Sequence, residues 1–536
     1  MLIYPPPELL VVGGLTVDRF ADGRSPAPGG SVLHATHAMH LDGRRTIVVT
    51  LAGLEAVAQR ALDRLRSLAE VHVQRAARTI GFEHDETADR RHLTFVASAG
   101  TLALPALTVR PRAVLYAPVA DELDAGLGWQ RYEGAVTGAI LQGWLRQLAP
   151  GSAAAPVPLG HLDPALVDAL AACDLLVASV DDLAAEADEP RAQLDALRRT
   201  FGARPALAVT DGVDGAWLSA PDGVTMHIAA GRRIDSVSSV GAGDAFAAAL
   251  LTGMSRGVPL ALAAHDAANL VSEVLAERTG RRLLIVGDVH GMLDALLAAL
   301  RGHGLVDAAG RWIGGHDELW LAGDLVDRGP EGLGVVELVM RLQDEAASAG
   351  GRVGSVLGNH EIQLMAASAF PGAASSPDGR RGFHADWLAN GGRPDELARL
   401  RAEHVAWMRD LPVAARVGAA LLVHSDALLH RGLGPSVAGA NATVRAALAR
   451  PDDAAWDRIL AVFSGRRAFL DAGGAAELLE AWGGREVVHG HTPLSRLFGR
   501  MPAAPEAVRY AGGRAVAVDG GAYGGGSLIV HRIPPA

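Results

Sequence analysis

The chain has 536 residues, too many for one ordinary hydrophobic core, and its 49% apolar content suffices for two or three domains. A net charge of −11 without a block of like charge argues against a nucleic-acid or acidic-membrane surface and leaves small anionic substrates compatible. All 49 basic residues are arginine, a bias that looks bacterial and GC-rich and that excludes a P-loop, which needs its lysine, while the lone Cys173 excludes an intrachain disulfide or thiolate metal cluster.

Along the chain, MLIYPPPELLVVGG lacks a basic leader and a long apolar run, so it reads as a Pro-rich lead into a first strand. No uncharged stretch approaches membrane-spanning length, and with Cys173 expected in a core the reading is cytoplasmic. Apolar runs such as TIVVT (46–50) and ALAVT (206–210) alternate with Ala/Leu-rich amphipathic stretches, an α/β pattern. Gly/Ala/Pro-rich segments at 150–158 and 370–379 read as loops. At Val240–Phe246, VGAGDAF is a glycine-rich turn opening into the helical AFAAALLTGMSRG. Backbone N–H groups at such a helix start can hold a phosphoryl group, and a carboxylate in the first turn can take a proton from an alcohol.

With VVGGLTVD (11–18), PGG (28–30) and VTDGVDGAWL (209–218) preceding it in order, residues 8 to about 278 resemble the PfkB or ribokinase-like carbohydrate kinases. The resemblance implies a mainly parallel sheet flanked by helices, with a small β-lid around GFEHDETADRRHLTF (81–95) and a sheet-edge segment at APVADEL (117–123). It also implies Mg-ATP as donor and a sugar, nucleoside or other alcohol as acceptor. Asp18, Gly29 and Gly30 would contact the acceptor, Gly241, Ala242 and Gly243 would form the anion hole, and Asp244 would be the base. Three places depart from the family. Ser238, Ser239 and Val240 replace Asp-Thr-Thr, His34 stands for a substrate-side Asn, and Ser179 and Asp182 stand for the Asn-x-x-Glu tied to magnesium and phosphate. These departures keep a second reading open, a kinase-like domain that senses a ligand without turnover and regulates its neighbour.

The boundary falls in AERTGRR (276–282), with Gly280 ending a helix, and gives domains at 1–278 and 282–536. Beyond it come GDVHG, GDLVDRG, GNHE, VHSD and VHGH in order between Gly287 and Gly490. Each follows an apolar run (LLIV, LWLA, GSVL, ALLV, REVV) that reads as a buried strand, so ligands should emerge from the strand ends of one sheet. Strand alternation would place both side chains of Asp-x-His on one face. Asp288, His290, Asp324, Asn359, His424 and His491 supply the bridging carboxylate, imidazoles and amide that two divalent ions need. An oxygen and nitrogen set without thiolate suits manganese, iron or zinc. His489 reads as structural, Trp387 and Trp407 as core, and the GAYGGGS run ending at Ser527 as a turn between strands.

On these motifs residues 282–534 resemble calcineurin-like metallophosphoesterases of the PPP phosphatase family, most like bacterial and Shewanella-like members. The resemblance implies a two-sheet α/β core and hydrolysis of a phosphorylated protein or small molecule. His360 would be the general acid, paired with Asp327, and Arg328 would hold phosphoryl oxygens. A second phosphate-binding arginine is open between Arg466 and Arg467. Ser425 and Asp426 replace the family's small residue and Gly after His424, which predicts a changed turn or charge near the second metal. The two halves together read as a bifunctional kinase and phosphatase.

Overall fold

Nine short strands of the first half align in one sheet because most are apolar on both faces, the signature of strands covered on either side. In spatial order they are 225–228, 216–219, 206–210, 175–179, 136–140, 113–117, 9–13, 46–52 and 70–75. Neighbours run parallel except where 206–210, 216–219 and 225–228 form antiparallel pairs. Chain contacts divide this computed structural model into two compact units, Met1–Leu275 and Ala276–Ala536. It describes residues 7–85, 92–124, 132, 134–234, 237–372, 382–499 and 506–535. The Pro-rich lead at 1–6, the lid segment 86–91 and the loop at 373–379 lie outside those residues.

A second sheet of the first unit joins Ala27–Gly29, Thr16–Phe20, Ile80–Asp85 and His92–Ala97. This is the small β-lid expected around 81–95, and it also recruits the strand bearing Asp18. APVADEL differs from expectation: it continues from Ala113–Ala117, an interior strand, and buried Glu122 accepts from the backbone N–H groups of Val119 and Ala120 to fold the turn. Cys173 lies buried in an apolar cluster with Leu170, Leu176 and Leu197.

Helix Leu260–Glu277 ends as the chain reaches Gly280, whose φ of 67° is the left-handed conformation that closes a helix. The second unit then builds two sheets. One orders Arg352–Ser355, Glu318–Leu321, Leu283–Val286 and Val530–Ile533; the other orders Ala414–Val417, Ala420–Val423, Glu486–His489, Ala515–Ala517 and Val508–Tyr510. The five motif strands are therefore shared between two sheets rather than belonging to one. Their inner faces pack Ile285, Val356, Leu422, Val488 and Val516 into a common core. Among the described residues no helix is long and apolar enough to cross a membrane.

Candidate functional site

In the second unit the motif side chains all follow strand ends. Asp288 and His290 follow Leu283–Val286, Asp324, Asp327 and Arg328 follow Glu318–Leu321, and Asn359 and His360 begin the helix after Arg352–Ser355. From the other sheet His424 follows Ala420–Val423 and His491 follows Glu486–His489. Asp-x-His does not reach its geometry by strand alternation: both residues lie past the strand, and His290 turns inward with a φ of 46°. Of the seven non-glycine residues with positive φ among the described residues, five belong to this site, His290, Asp324, Asp327, Arg328 and His491, and a sixth, Arg467, lies in the neighbouring loop. Such backbone costs about 1–3 kcal/mol per residue and persists only where the surroundings over-determine it.

Backbone donors fix the carboxylates. The N–H of His491 donates to both oxygens of Asp288 (3.0 and 2.9 Å), so closely that a Cβ on Gly490 would lie 1.9 Å from Asp288 Oδ1. The N–H of His360 donates to Asp324 Oδ1 (3.0 Å). Glu361, fully buried, accepts from the N–H groups of Asp324, Leu325 and Gly358 at 2.7–3.0 Å and so holds the Asp324 loop from behind.

The imidazoles are set in one tautomer by carbonyls, which only accept. His290 Nδ1–H donates to Val326 O (3.1 Å) and His424 Nδ1–H to Ala322 O (2.7 Å), which turns each Nε2 toward the site. His424 Nε2 stands 3.2 Å from Asp324 Oδ1 and 3.0 Å from Asn359 Oδ1. Ligand atoms of Asp324, His424 and His491 lie within 4.8 Å of one another, as do those of His290, Asp324 and His360. Asp324 thus belongs to both groups, the position a bridging carboxylate takes.

Burial, then the negative charges of Asp519 and Asp324, push the Asp288 carboxyl well above its ordinary range. Burial likewise lifts Asp519 to about 6. At Asp324 burial acts in the same direction but is outweighed by the imidazoles of His424 and His360, which hold the carboxyl well below its usual range. Three carboxylates sealed from water repel one another unless cations join them. Asp519 Oδ2 is buried without a hydrogen-bond partner among the described residues. Divalent metal ions fit this donor set.

Beside it, His360 Nδ1 lies 2.7 Å from Asp327 Oδ2, and the indole N–H of Trp387 donates to Asp327 Oδ1 (2.8 Å). Arg328 donates through Nη1 to His290 Nε2 (2.6 Å) and through Nη2 to His360 Nε2 (3.0 Å), and its Cζ lies 4.3 Å from the centre of the Tyr523 ring. Arg466 Nη1 donates to His491 O (2.5 Å), and its charge bears on His360 and His491. Arg467 instead offers its backbone N–H to Asp426. His489 bonds Tyr510 OH (2.7 Å) and Gly490 O (2.9 Å), outside the ligand groups.

Sequence reading missed Glu361, Asp519 and Tyr523, and took Trp387 for packing alone. Tyr523 was the least accessible: its GAYGGGS run does form a turn at Ala522–Gly524, but the aromatic ring stands over Arg328 and 4.9 Å from His290.

In the first unit two helix N-termini converge. Helix Ser31–Leu41 starts after Gly30 (φ 101°) and helix Ala242–Ser255 after Gly241 (φ 80°). A Cβ on Gly241 would lie 2.1 Å from the His34 ring, so only glycine fits there. Buried Asp244 hydrogen-bonds Ser31, which also accepts from Gln142 Nε2 (2.8 Å). Burial lifts the Asp244 carboxyl to about 6. Arg146 Nη2 donates to Asp182 Oδ1 (3.1 Å), and Ser179 Oγ donates to Asp182 Oδ2 (2.7 Å), so the residues at the departing Asn-x-x-Glu positions form one polar cluster. Asp18 lies on the lid sheet against Gly29, with His84 Nε2 3.5 Å from its Oδ2. The amide of Ala242 is donated to Ser239 O (3.0 Å).

The two units thus present a two-sheet α/β domain with a buried cluster of carboxylates and imidazoles, and a lidded α/β domain with paired helix termini at a buried carboxylate. The calcineurin-like phosphoesterase family matches residues 281–510 and the pfkB family carbohydrate kinase family matches residues 149–284, so the chain joins a domain of each kind. It is similar to Shewanella-like protein phosphatase 2 of Arabidopsis thaliana, 39% identical over 93 residues, 17% of this chain and 24% of that protein. It is similar also to a symmetrical bis(5'-nucleosyl)-tetraphosphatase of Tolumonas auensis, 35% identical over 130 residues, 24% of this chain and 38% of that protein. The chain spans only about a quarter to two fifths of the length of these curated relatives. Among solved structures, a pyrophosphate-dependent kinase in the ribokinase family superposes with a TM-score of 0.42 at 19% identity, over 50% of this chain and 94% of that one.

Proposed function

We propose that the second unit is a metal-dependent phosphomonoesterase and the first a PfkB-type kinase for a sugar, nucleoside or related alcohol. The observation that supports the first reading best is the cluster of three buried carboxylates, Asp288, Asp324 and Asp519, facing His290, His424 and His491 beside a His360–Asp327 pair. Asp288, His290, Asp324, Asn359, His424 and His491 would hold two ions of manganese, iron or zinc. Two such ions supply Lewis acidity at the phosphoryl group and a nucleophile at neutral pH.

Arg328 and Arg466 orient the phosphoryl oxygens; once the Arg328 Nη2 that donates to His360 Nε2 turns to the phosphate, that Nε2 can carry the proton handed to the leaving oxygen. Burial pushes Asp327 up to about 8 and His360 down to about 4, so neither ionises readily alone. A phosphomonoester dianion between the two arginines favours the protonated imidazole. Trp387→Phe removes the donor to Asp327 and leaves a small cavity where the rest of the indole packed; a fall of about tenfold in kcat, the scale of one buried hydrogen bond, with a modest fall in Tm is expected.

Protein reconstituted with manganese is expected to hydrolyse p-nitrophenyl phosphate and to lose that activity with EDTA. Inactivity on p-nitrophenyl phosphate, a phosphopeptide and a bis(5'-nucleosyl) tetraphosphate, with each of manganese, iron and zinc, overturns the reading. The activities named for the curated relatives select the last two substrates.

In the first unit Gly241, Ala242 and Gly243 would face the donor phosphate of Mg-ATP, Asp18, Gly29 and Gly30 the alcohol, and Asp244 would take its proton. The commitment of the Ala242 amide to Ser239 favours a second reading, a domain that binds ligand without turnover and regulates the phosphatase. Calorimetry with ATP and a polyol panel, followed by an ADP-coupled assay, separates the two: binding without ADP release, with an altered phosphatase rate, supports the sensor.

A further inference from the structure

Asp426 lies two residues beyond His424, past the end of strand Ala420–Val423, and is completely buried. A carboxylate is costly there unless its lone pairs are used. They are used by two separate loops. Oδ2 accepts from the N–H of Arg467 (2.7 Å), and Oδ1 accepts from Thr492 Oγ1 (2.5 Å), the residue after His491. Its carbonyl adds a third tie by accepting from the N–H of Ala468 (2.9 Å). Arg466 lies between these ties. Its Nη1 reaches His491 O (2.5 Å) and Thr492 Oγ1 (3.3 Å), so its anchor is the turn whose Thr492 hydroxyl Asp426 holds.

The backbone shows what Asp426 opposes. Arg467 has a φ of 67° and His491 a φ of 64°, conformations that an unsupported non-glycine residue leaves readily. A carboxylate that accepts from the first and from the hydroxyl following the second holds both in place. Glycine at 426 would leave the Arg467 N–H and the Thr492 hydroxyl without this acceptor.

We propose that Asp426 is a positioning residue that aims the Arg466 guanidinium at the phosphate by clamping the 464–468 loop to the His491–Thr492 turn. It touches no substrate and acts through Arg466. This inference rests on the phosphatase reading above, and turnover of p-nitrophenyl phosphate by the manganese-loaded wild type tests that reading separately.

The test is a double-mutant cycle on the full chain with Asp426→Ala, Arg466→Gln and the pair, read as kcat, KM, inhibition by inorganic phosphate and bound manganese per chain. Asp426→Ala is expected to raise KM and the phosphate inhibition constant about tenfold, with manganese content unchanged. Placed on Arg466→Gln it should add less than about twofold, because the group it aims is already gone. Asp426→Asn, which keeps one acceptor oxygen for the Arg467 N–H, should fall between wild type and Asp426→Ala, and serves in the cycle if the alanine variant fails to fold. An undiminished effect of Asp426 on the Arg466→Gln background overturns the proposal. So does loss of manganese in parallel with activity, or a variant indistinguishable from wild type. A wild type that turns over nothing overturns the phosphatase reading and this inference with it.

Discussion

Asp324→Asn is expected to lower phosphatase kcat by at least about a hundredfold, roughly 2.7 kcal/mol of transition-state stabilisation. The carboxylate stands in both ligand groups, 3.2 Å from His424 Nε2 and 3.6 Å from His290 Nε2, so the amide removes one negative charge from between two cation positions. The fold should survive, since asparagine keeps the oxygen that accepts from the His360 N–H, and the Glu361 bonds to the Asp324 loop use backbone groups. Bound metal measured by mass spectrometry should drop below two ions per chain, with circular dichroism unchanged. Kinase turnover, assayed on the same preparation, should be unaffected. Full phosphatase activity in Asp324→Asn would remove Asp324 from the bridging role.

Asp244→Asn is expected to reduce phosphoryl transfer to an alcohol about a hundredfold or more while nucleotide binding by calorimetry persists, because the backbone at Gly241–Gly243 is untouched. Burial sets the pH dependence. With the carboxyl lifted to about 6, the base is protonated below that pH, so wild-type transfer should rise about tenfold per pH unit up to about 6 and then level. The stability effect has the opposite sign. A carboxyl raised above its unfolded value stabilises the fold below the unfolded pKa, and that contribution is lost as pH rises from about 4 through about 6. The asparagine variant carries no buried charge at pH 7 and should melt no lower than wild type there. A large fall in Tm would mean that lost activity reports damage to the fold rather than loss of a base. Phosphatase activity unchanged in Asp244→Asn and lost in Asp324→Asn would establish two separate sites; loss of both activities in either folded variant would overturn them.

Much of this was readable in the residues because short-range chemistry dictates it. Apolar runs bounded by glycine fixed where strands end, and the five phosphatase motifs placed Asp288, Asp324, Asn359 and His424 at those ends without knowledge of the pairing. Gly241 before an Ala-rich run fixed a helix start, and glycine permits the φ of 80° found there. Partition was not readable: strand runs carry no label for their sheet, and the phosphatase motifs divide between two. Nor was backbone handedness, since Asp-x-His suggested alternation and the chain instead turned His290 through a left-handed conformation that only surrounding packing sustains. Partners distant in sequence were hidden for the same reason. Asp519 meets Asp288 across 231 residues of numbering (519 − 288), Trp387 reaches Asp327, and Tyr523 covers Arg328. Asp426 was visible as a departure, but its consequence depends on which loop ends beside it. Hydrophobic periodicity and turn chemistry act over a few residues and are written in the sequence, whereas a buried polar group's partners are chosen by the packing of the completed fold.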